Sequence, residues 1–302
     1  MRPAPRSNPQ VPSHASPGPG RLGVGPLLRE WRSRRRRSQM DLALDAGVST
    51  RHLSCIETGR AQPSPAMLMA LAEYLQVPLR ERNQLLLAAG YAPRYGEAAL
   101  DAHDMAPVRA ALQRLLDAHD PYPGLVLDRQ WNVVLANPAA LALAALLPPA
   151  LATPPLNVFR VSLHPQGLAA HTANFAEWAG HLLDSLQRAV QHSADAGLLD
   201  LQREVLAYPN VQALPDQRAF AAGLPPAPAL LVPCVLDLPQ GRVSLFTTLT
   251  TFGTPRDVTL QELCVELFYP ADPASEALLR GTPADLHSTI GTLSPHRSGA
   301  TP

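Results

Sequence analysis

Between Gly25 and Gly90, apolar residues recur at helical spacing in five short runs. Leu27, Leu28 and Trp31 mark one face of the first. Ser38 stands where the second needs an N-cap, with Asp41 three residues on as a variant capping box; Leu42, Ala43 and Ala46 follow on one side. Gly47 supplies a left-handed turn position, and Ser49 caps a third helix that turns Leu53 and Ile56 inward and ends at Gly59. Ser64-Pro65 opens a fourth, striped by Leu68, Leu71, Ala72 and Leu75. Pro78 separates it from a fifth, Leu79 to Ala89, stopped by Gly90.

Residues 93–104 read as a linker, and the pattern then changes. A helix is expected from Met105 to His119, with Val108, Leu112, Leu115 and Leu116 on one face. The runs Gly124–Asp128 and Trp131–Leu135 read as a β-hairpin. Asn137-Pro138 caps a following helix. An amphipathic helix is expected from Thr172 to about Ser193, and a shorter one from Leu198 to Ala207. Two β-rich runs, Leu230–Leu238 and Arg242–Phe252, are joined by Pro239-Gln240-Gly241. Residues 1–22 are rich in Pro, Ser and Gly without apolar period, and 273–302 lose their pattern; both read as disordered tails. The tail's Gly18-Pro-Gly-Arg-Leu-Gly23 has the spacing of a dinucleotide motif, but it follows no strand, so a nucleotide site is not expected there. The working division is therefore 23–92 and 105–272, with tails and a linker outside.

Charge sharpens this division. The net charge is zero, yet residues 1–100 hold 14 arginines against 7 acids, and the remainder holds 11 against 18. A cationic front suits a polyanion. All 25 basic residues are Arg, which excludes a P-loop lysine, a Schiff-base lysine and a Ser-Lys pair. Cys55, Cys234 and Cys264 lie far apart, neither a disulfide framework nor a zinc set. His164, His171, His181 and His192 include no helical i, i+4 pair, and no GxSxG, HExxH or DxDxDG occurs. An enzyme, a metal and a cofactor are accordingly not expected. Neither a signal peptide nor a membrane span is visible: the most apolar run, Ala139–Leu147, is nine residues long. The expected compartment is the cytoplasm.

Helix, glycine-containing turn, helix is a DNA-reading unit. With Leu53 and Ile56 inward, Thr50, Arg51, Ser54 and Cys55 fall outward. The stretch LLREWRSRRRRSQMDLALDAGVSTRHLSCIETGRAQPS resembles the λ-repressor-like, XRE-type helix-turn-helix domains over about Gly25 to Gly90. The resemblance rests on Ser38-Gln39, Leu42-Ala43, Ala46-Gly47-Val48-Ser49, Ile56-Glu57-x-Gly59-Arg60 and Pro63-Ser64; the Arg34–Arg37 run departs from it. It implies an all-α five-helix domain whose third helix enters the major groove of double-stranded DNA. Arg51 would then fork onto guanine O6 and N7, worth roughly 1–3 kcal/mol of discrimination, and Thr50 would touch a thymine methyl. Ser49, Ser54 and Cys55 complete that face, with Cys55 alternatively a small apolar filler; His52 reads equally as a phosphate contact or an idle surface residue. Gln39, Arg60, Arg36 and Arg37 are the phosphate candidates. Glu57 would be structural, tied to an arginine of the first helix. A homodimer would read half-sites about one turn, ~34 Å, apart.

Further on, GLVLDRQWNVVLANPAA looks like the opening of a PAS domain. LNVFRVSLHPQGL, NFAEWAGHLL, LVPCVLDL and TTFGTPRDVTLQELCVELFYPAD are similar to the MmyB-like ligand-binding domain of bacterial regulators. The resemblance implies an α+β, PAS-like domain with an antiparallel sheet and an apolar cavity, for which fatty-acyl ligands are the first class to consider. A carboxylate head would want a buried cation, and Arg160 and His164 are the candidates, with Asn137, Asn157, Asn174 and Trp178 near them in motif terms. Each has a plainer reading: Arg160 paired with an acid, His164 in a turn before Pro165, Asn137 as a helix cap. The alternative function for this half is dimerisation or docking of a protein.

Overall fold

The computed structural model describes residues 23–193, 195–215 and 231–281, which separate into two compact units between Arg94 and Tyr95. The expectations for 1–22 and 282–302, the Gly-rich motif of the first tail included, lie outside the described residues.

The first unit has five helices: α1 (Val24–Arg34), α2 (Gln39–Asp45), α3 (Thr50–Glu57), α4 (Pro65–Tyr74) and α5 (Leu79–Ala88). Local chemistry sets their ends. Ser38 and Asp41 form a reciprocal capping box on α2, and Ser49 and Ser64 accept backbone N–H groups of His52 and Met67 at the starts of α3 and α4. Gly47 has φ 65° between α2 and α3, where a β-carbon would clash with its own backbone. The core is aliphatic: Leu28, Leu42, Leu53, Ile56, Leu68, Leu71 and Leu85 are buried, with Trp31 beside them. A Cβ at Gly25 would lie 2.5 Å from the Ile56 carbonyl oxygen, so glycine lets α1 close onto the end of α3.

The second unit contains α6 (Ala106–His119), β1 (Gly124–Leu127), β2 (Val133–Ala136), α7 (Pro138–Ala144), α8 (Val158–Leu163), α9 (Phe175–His192), α10 (Ala196–Leu206) and α11 (Pro209–Gln212). After these come β3 (Cys234–Leu238), β4 (Gly241–Thr251), α12 (Val258–Glu262), β5 (Cys264–Pro270) and α13 (Pro273–Gly281). The strands form one antiparallel sheet in the order β2-β1-β5-β4-β3. Side chains alternate across it. Val126 and Val265 face α6, packing with Leu112 and Leu116. Leu125, Leu236, Leu245 and Phe268 face the other side, toward α7, α8 and α9. The fold class is the expected one: five helices, then an α+β domain on an antiparallel sheet.

Two boundaries differ from expectation. Residues 95–104 are not a free linker: Val258 N–H donates to the Gly96 carbonyl at 2.8 Å, Ala98 N–H to the Asp257 carboxylate, and Leu100 packs beside Leu112. Residues 273–281 are not tail but α13, which packs on β4 and β5 through Leu278 and Leu279; Asp272 and Ser275 hold its start. The stripe is too short to show as a period. Among the described residues no helix is long and apolar enough to cross a membrane.

Candidate functional site

Glu57 organises the first unit. Its side chain is 1% exposed, and Arg32 of α1 grips both carboxylate oxygens, Nε to Oε1 at 2.7 Å and an Nη to Oε2 at 2.9 Å. Gln39 Nε2 adds a third bond at 2.7 Å. Burial alone would raise the Glu57 pKa, but these donors and the Arg32 charge outweigh it and hold the carboxyl below its ordinary range. One buried anion thus ties α1 and α2 to the last turn of α3. The expected tie to a first-helix arginine is present. Gln39, expected to face phosphate, donates its amide to Glu57 and so helps to position α3.

α3 shows two faces. Leu53 and Ile56 are fully buried, Thr50 and Arg51 are exposed, and His52, Ser54 and Cys55 are half-buried. Arg51 makes no ion pair or side-chain hydrogen bond among the described residues, so its guanidinium fork is open. Ser49 Oγ is engaged in the cap, where it accepts from His52 N–H at 3.1 Å. Arg60 is exposed beyond the helix. The arginine run divides its labour. Arg34 pairs with Glu30 one turn back, Arg35 caps the end of α4 by donating to the Leu75 and Gln76 carbonyls, and Arg37 pairs with Asp45. Arg36, at φ 52°, is exposed without such a partner among the described residues. Of the two phosphate candidates in the run, Arg37 carries a compensated charge.

The second unit holds an apolar cavity that is partly open to solvent. The inner face of the sheet forms its floor. Ala140, Leu141, Leu143 and Ala144 of α7, Val158 and Val161 of α8, and Trp178 of α9 form its walls. The apolar run Ala139–Leu147, too short for a bilayer, is largely cavity wall. It is lined as small-molecule sites are, mostly by apolar side chains.

Of the six residues proposed from the sequence, only Trp178 lines it. Arg160 is bound bidentately to Glu204 of α10, Nε to Oε1 at 2.8 Å and an Nη to Oε2 at 2.8 Å, with Tyr208 donating to the same carboxylate. His164 ends α8, accepts from Gln166 N–H at Nδ1 and packs edge-on against Tyr208. Asn137 is buried: Oδ1 accepts from Gly124 and Ala140 N–H, and Nδ2 donates to the Leu116 and Tyr122 carbonyls. Asn157 caps α8 and ties it to the hairpin loop through Gln130 and Asn132. Asn174 straddles the start of β3, accepting from Val235 N–H and donating to the Pro233 carbonyl. These five hold the walls together, because their amides and charges are consumed by backbone ends and acids. Among the described residues no arginine or histidine lines the cavity.

The residue that sequence reasoning missed is Glu266. It sits mid-β5, paired across the sheet with Leu125 and Leu249, and lines the cavity. It is 5% exposed, and its Oε2 is buried without a hydrogen-bond partner. Burial pushes its carboxyl up to about 7. The sequence signal was a lone acid inside the run Cys264-Val-Glu-Leu-Phe268, on the same face as Phe268.

A helix-turn-helix with an open third helix, followed by an α+β unit with an apolar cavity, defines a DNA-binding regulator with a sensory domain. Residues 24–85 match the family model of a helix-turn-helix domain, and residues 108–281 match that of the MmyB-like transcription regulator ligand binding domain. The second match covers more than half of the chain: the protein belongs to the MmyB-like family and is a ligand-sensing transcription regulator. Both matched families are regulator domains, not enzymes. Comparison with curated proteins returns no match.

Proposed function

We propose that this regulator acts in the cytoplasm as a homodimer on a near-palindromic operator, and that a small molecule with an aliphatic chain, of the fatty-acyl kind, tunes its affinity. The exposed N-terminal face of α3, anchored from behind by Glu57, supports the DNA half of the reading most directly. Arg51 reads a guanine, Thr50 and Ser54 contact neighbouring base edges, and Ser49, His52, Arg36 and Arg60 serve the phosphates. The cavity supports the other half. Its walls suit a flexible chain, and each buried methylene contributes ~0.8 kcal/mol before ordering costs. The ligand shifts DNA binding only by its difference in affinity for two arrangements of the protein.

Two measurements check the DNA half. Arg51→Ala is expected to lose roughly 1–3 kcal/mol of preference for its base at one operator position, with little change on random DNA. Titration of wild type and variant on operators substituted at each position reads this out, and an unchanged base preference removes Arg51 from the reading. Arg36→Ala is expected to weaken binding to all sequences alike and to reduce the slope of log K against log salt by about 0.9. Arg37→Ala is expected to move that slope less, because Asp45 already neutralises its charge. Equal slopes for Arg36→Ala and wild type would show that Arg36 meets no phosphate.

A further inference from the structure

Glu266 is out of place in a cavity meant only for hydrocarbon. Its strand-mates on that face are Cys264 and Phe268, its cross-strand neighbours Leu125 and Leu249. Ionised and unpaired, a carboxylate in such surroundings is costly, and an apolar side chain of similar size would pack there without that cost. No arginine, histidine or backbone N–H among the described residues bonds to its Oε2. Thr172, also on the cavity wall, is already engaged, its hydroxyl donating to the Leu168 carbonyl at 2.8 Å. Cys234 and Cys264 are the titratable groups that feel the Glu266 charge; burial first, and that charge second, push their thiols up to about 12 and about 11, so both stay neutral. The floor of the cavity therefore presents one strong acceptor and no fixed cation.

From the unpartnered, buried Glu266 carboxylate facing an aliphatic cavity, we infer that the ligand is an amphiphile with a hydrogen-bond-donating head, an amine in the strongest case, and that Glu266 receives that head. This rests on the proposed ligand-sensing role of the cavity; it keeps the aliphatic chain and replaces an ionised fatty-acid head by a donating one. An alkylammonium head would supply the missing counter-charge, a charge-assisted bond in a dry site. An ionised fatty acid would bring a second negative charge to the first.

The test compares three probes of equal chain length, decylamine, 1-decanol and decanoate, by calorimetry with the full-length protein below their micelle concentrations and at roughly pH 8, where the amine is charged. Decylamine is expected to bind at least about tenfold more tightly than decanoate, with decanol between them. Glu266→Gln, which keeps the shape and removes the charge, is expected to abolish the advantage of the amine over the alcohol while both still bind. Decanoate binding as tightly as decylamine to the wild type would overturn the head-group assignment and leave the cavity as a ligand site. An amine preference that survives in Glu266→Gln would overturn the role of this residue. Failure of all three probes to bind would overturn the ligand-site reading itself.

Discussion

Arg32→Ala is expected to destabilise the first unit by about 3–5 kcal/mol, a large fraction of what holds a unit of this size together. Arg32 makes two bonds to a carboxylate whose side chain is 1% exposed, and a further bond to the Arg37 carbonyl at 2.9 Å. Without it the buried Glu57 charge keeps only the Gln39 hydrogen bond and the Arg29 charge. The cost comes from that stranded charge rather than from the lost pair, so the double variant Arg32→Leu/Glu57→Leu is expected to lie closer to wild type than Arg32→Ala. The pH dependence follows the same logic. Glu57 has a lowered folded-state pKa, so its pair stabilises the unit above the ordinary carboxylate value of 4.5 and loses that contribution as pH falls through the lowered value. Arg32→Ala is expected to lack this loss. Urea unfolding followed by fluorescence of Trp31, the tryptophan of this unit, reads both effects; a change under about 1 kcal/mol would mean that Glu57 finds solvent or another donor.

The second large effect runs the opposite way in pH. Glu266 has a raised folded-state pKa, about 7 against an ordinary 4.5, so the folded unit holds a proton that the unfolded chain has lost. Its contribution to stability therefore falls as pH rises from 4.5 to about 7 and is flat above. Other carboxylates change the stability below that range, Glu204 among them, its pKa lowered by its Arg160 bonds. The clean quantity is thus the difference between Glu266→Gln and wild type. That difference is expected to be small near pH 4.5 and to grow to about 3 kcal/mol in favour of the variant above pH 7. Cys234 and Cys264, the other titratable groups that feel Glu266, stay protonated throughout. Thermal unfolding of both proteins across this range checks the trend; a constant difference would show that Glu266 meets a donor or water when ionised.

Much of the first unit was legible because its determinants are local. Ser38 with Asp41, Gly47, Ser49 and Ser64-Pro65 each act within one turn of chain, and Leu53 with Ile56 sets the outward face of α3 by helical geometry alone. Asn137 was legible as a cap for the same reason. The cavity chemistry was not. Arg160 attracted attention as a buried cation, but its partner Glu204 lies 44 residues on, where spacing along the chain gives no warning. The bond of Gln39 to Glu57 was not legible, because it depends on how three helices pack. Glu266 was passed over because an acid in an apolar strand run looks like an edge or solvent position until the sheet order places β5 in the middle, between β1 and β4.

The most direct test is selection of bound duplexes from a random DNA pool by the wild type and by Thr50→Ala/Arg51→Ala. The wild type is expected to enrich a near-palindrome with half-sites about one turn, ~34 Å, apart, each with a guanine that the variant no longer requires. Recovery of the same guanine-bearing sequence by both proteins, or of no sequence by either, would contradict base reading by the open face of α3.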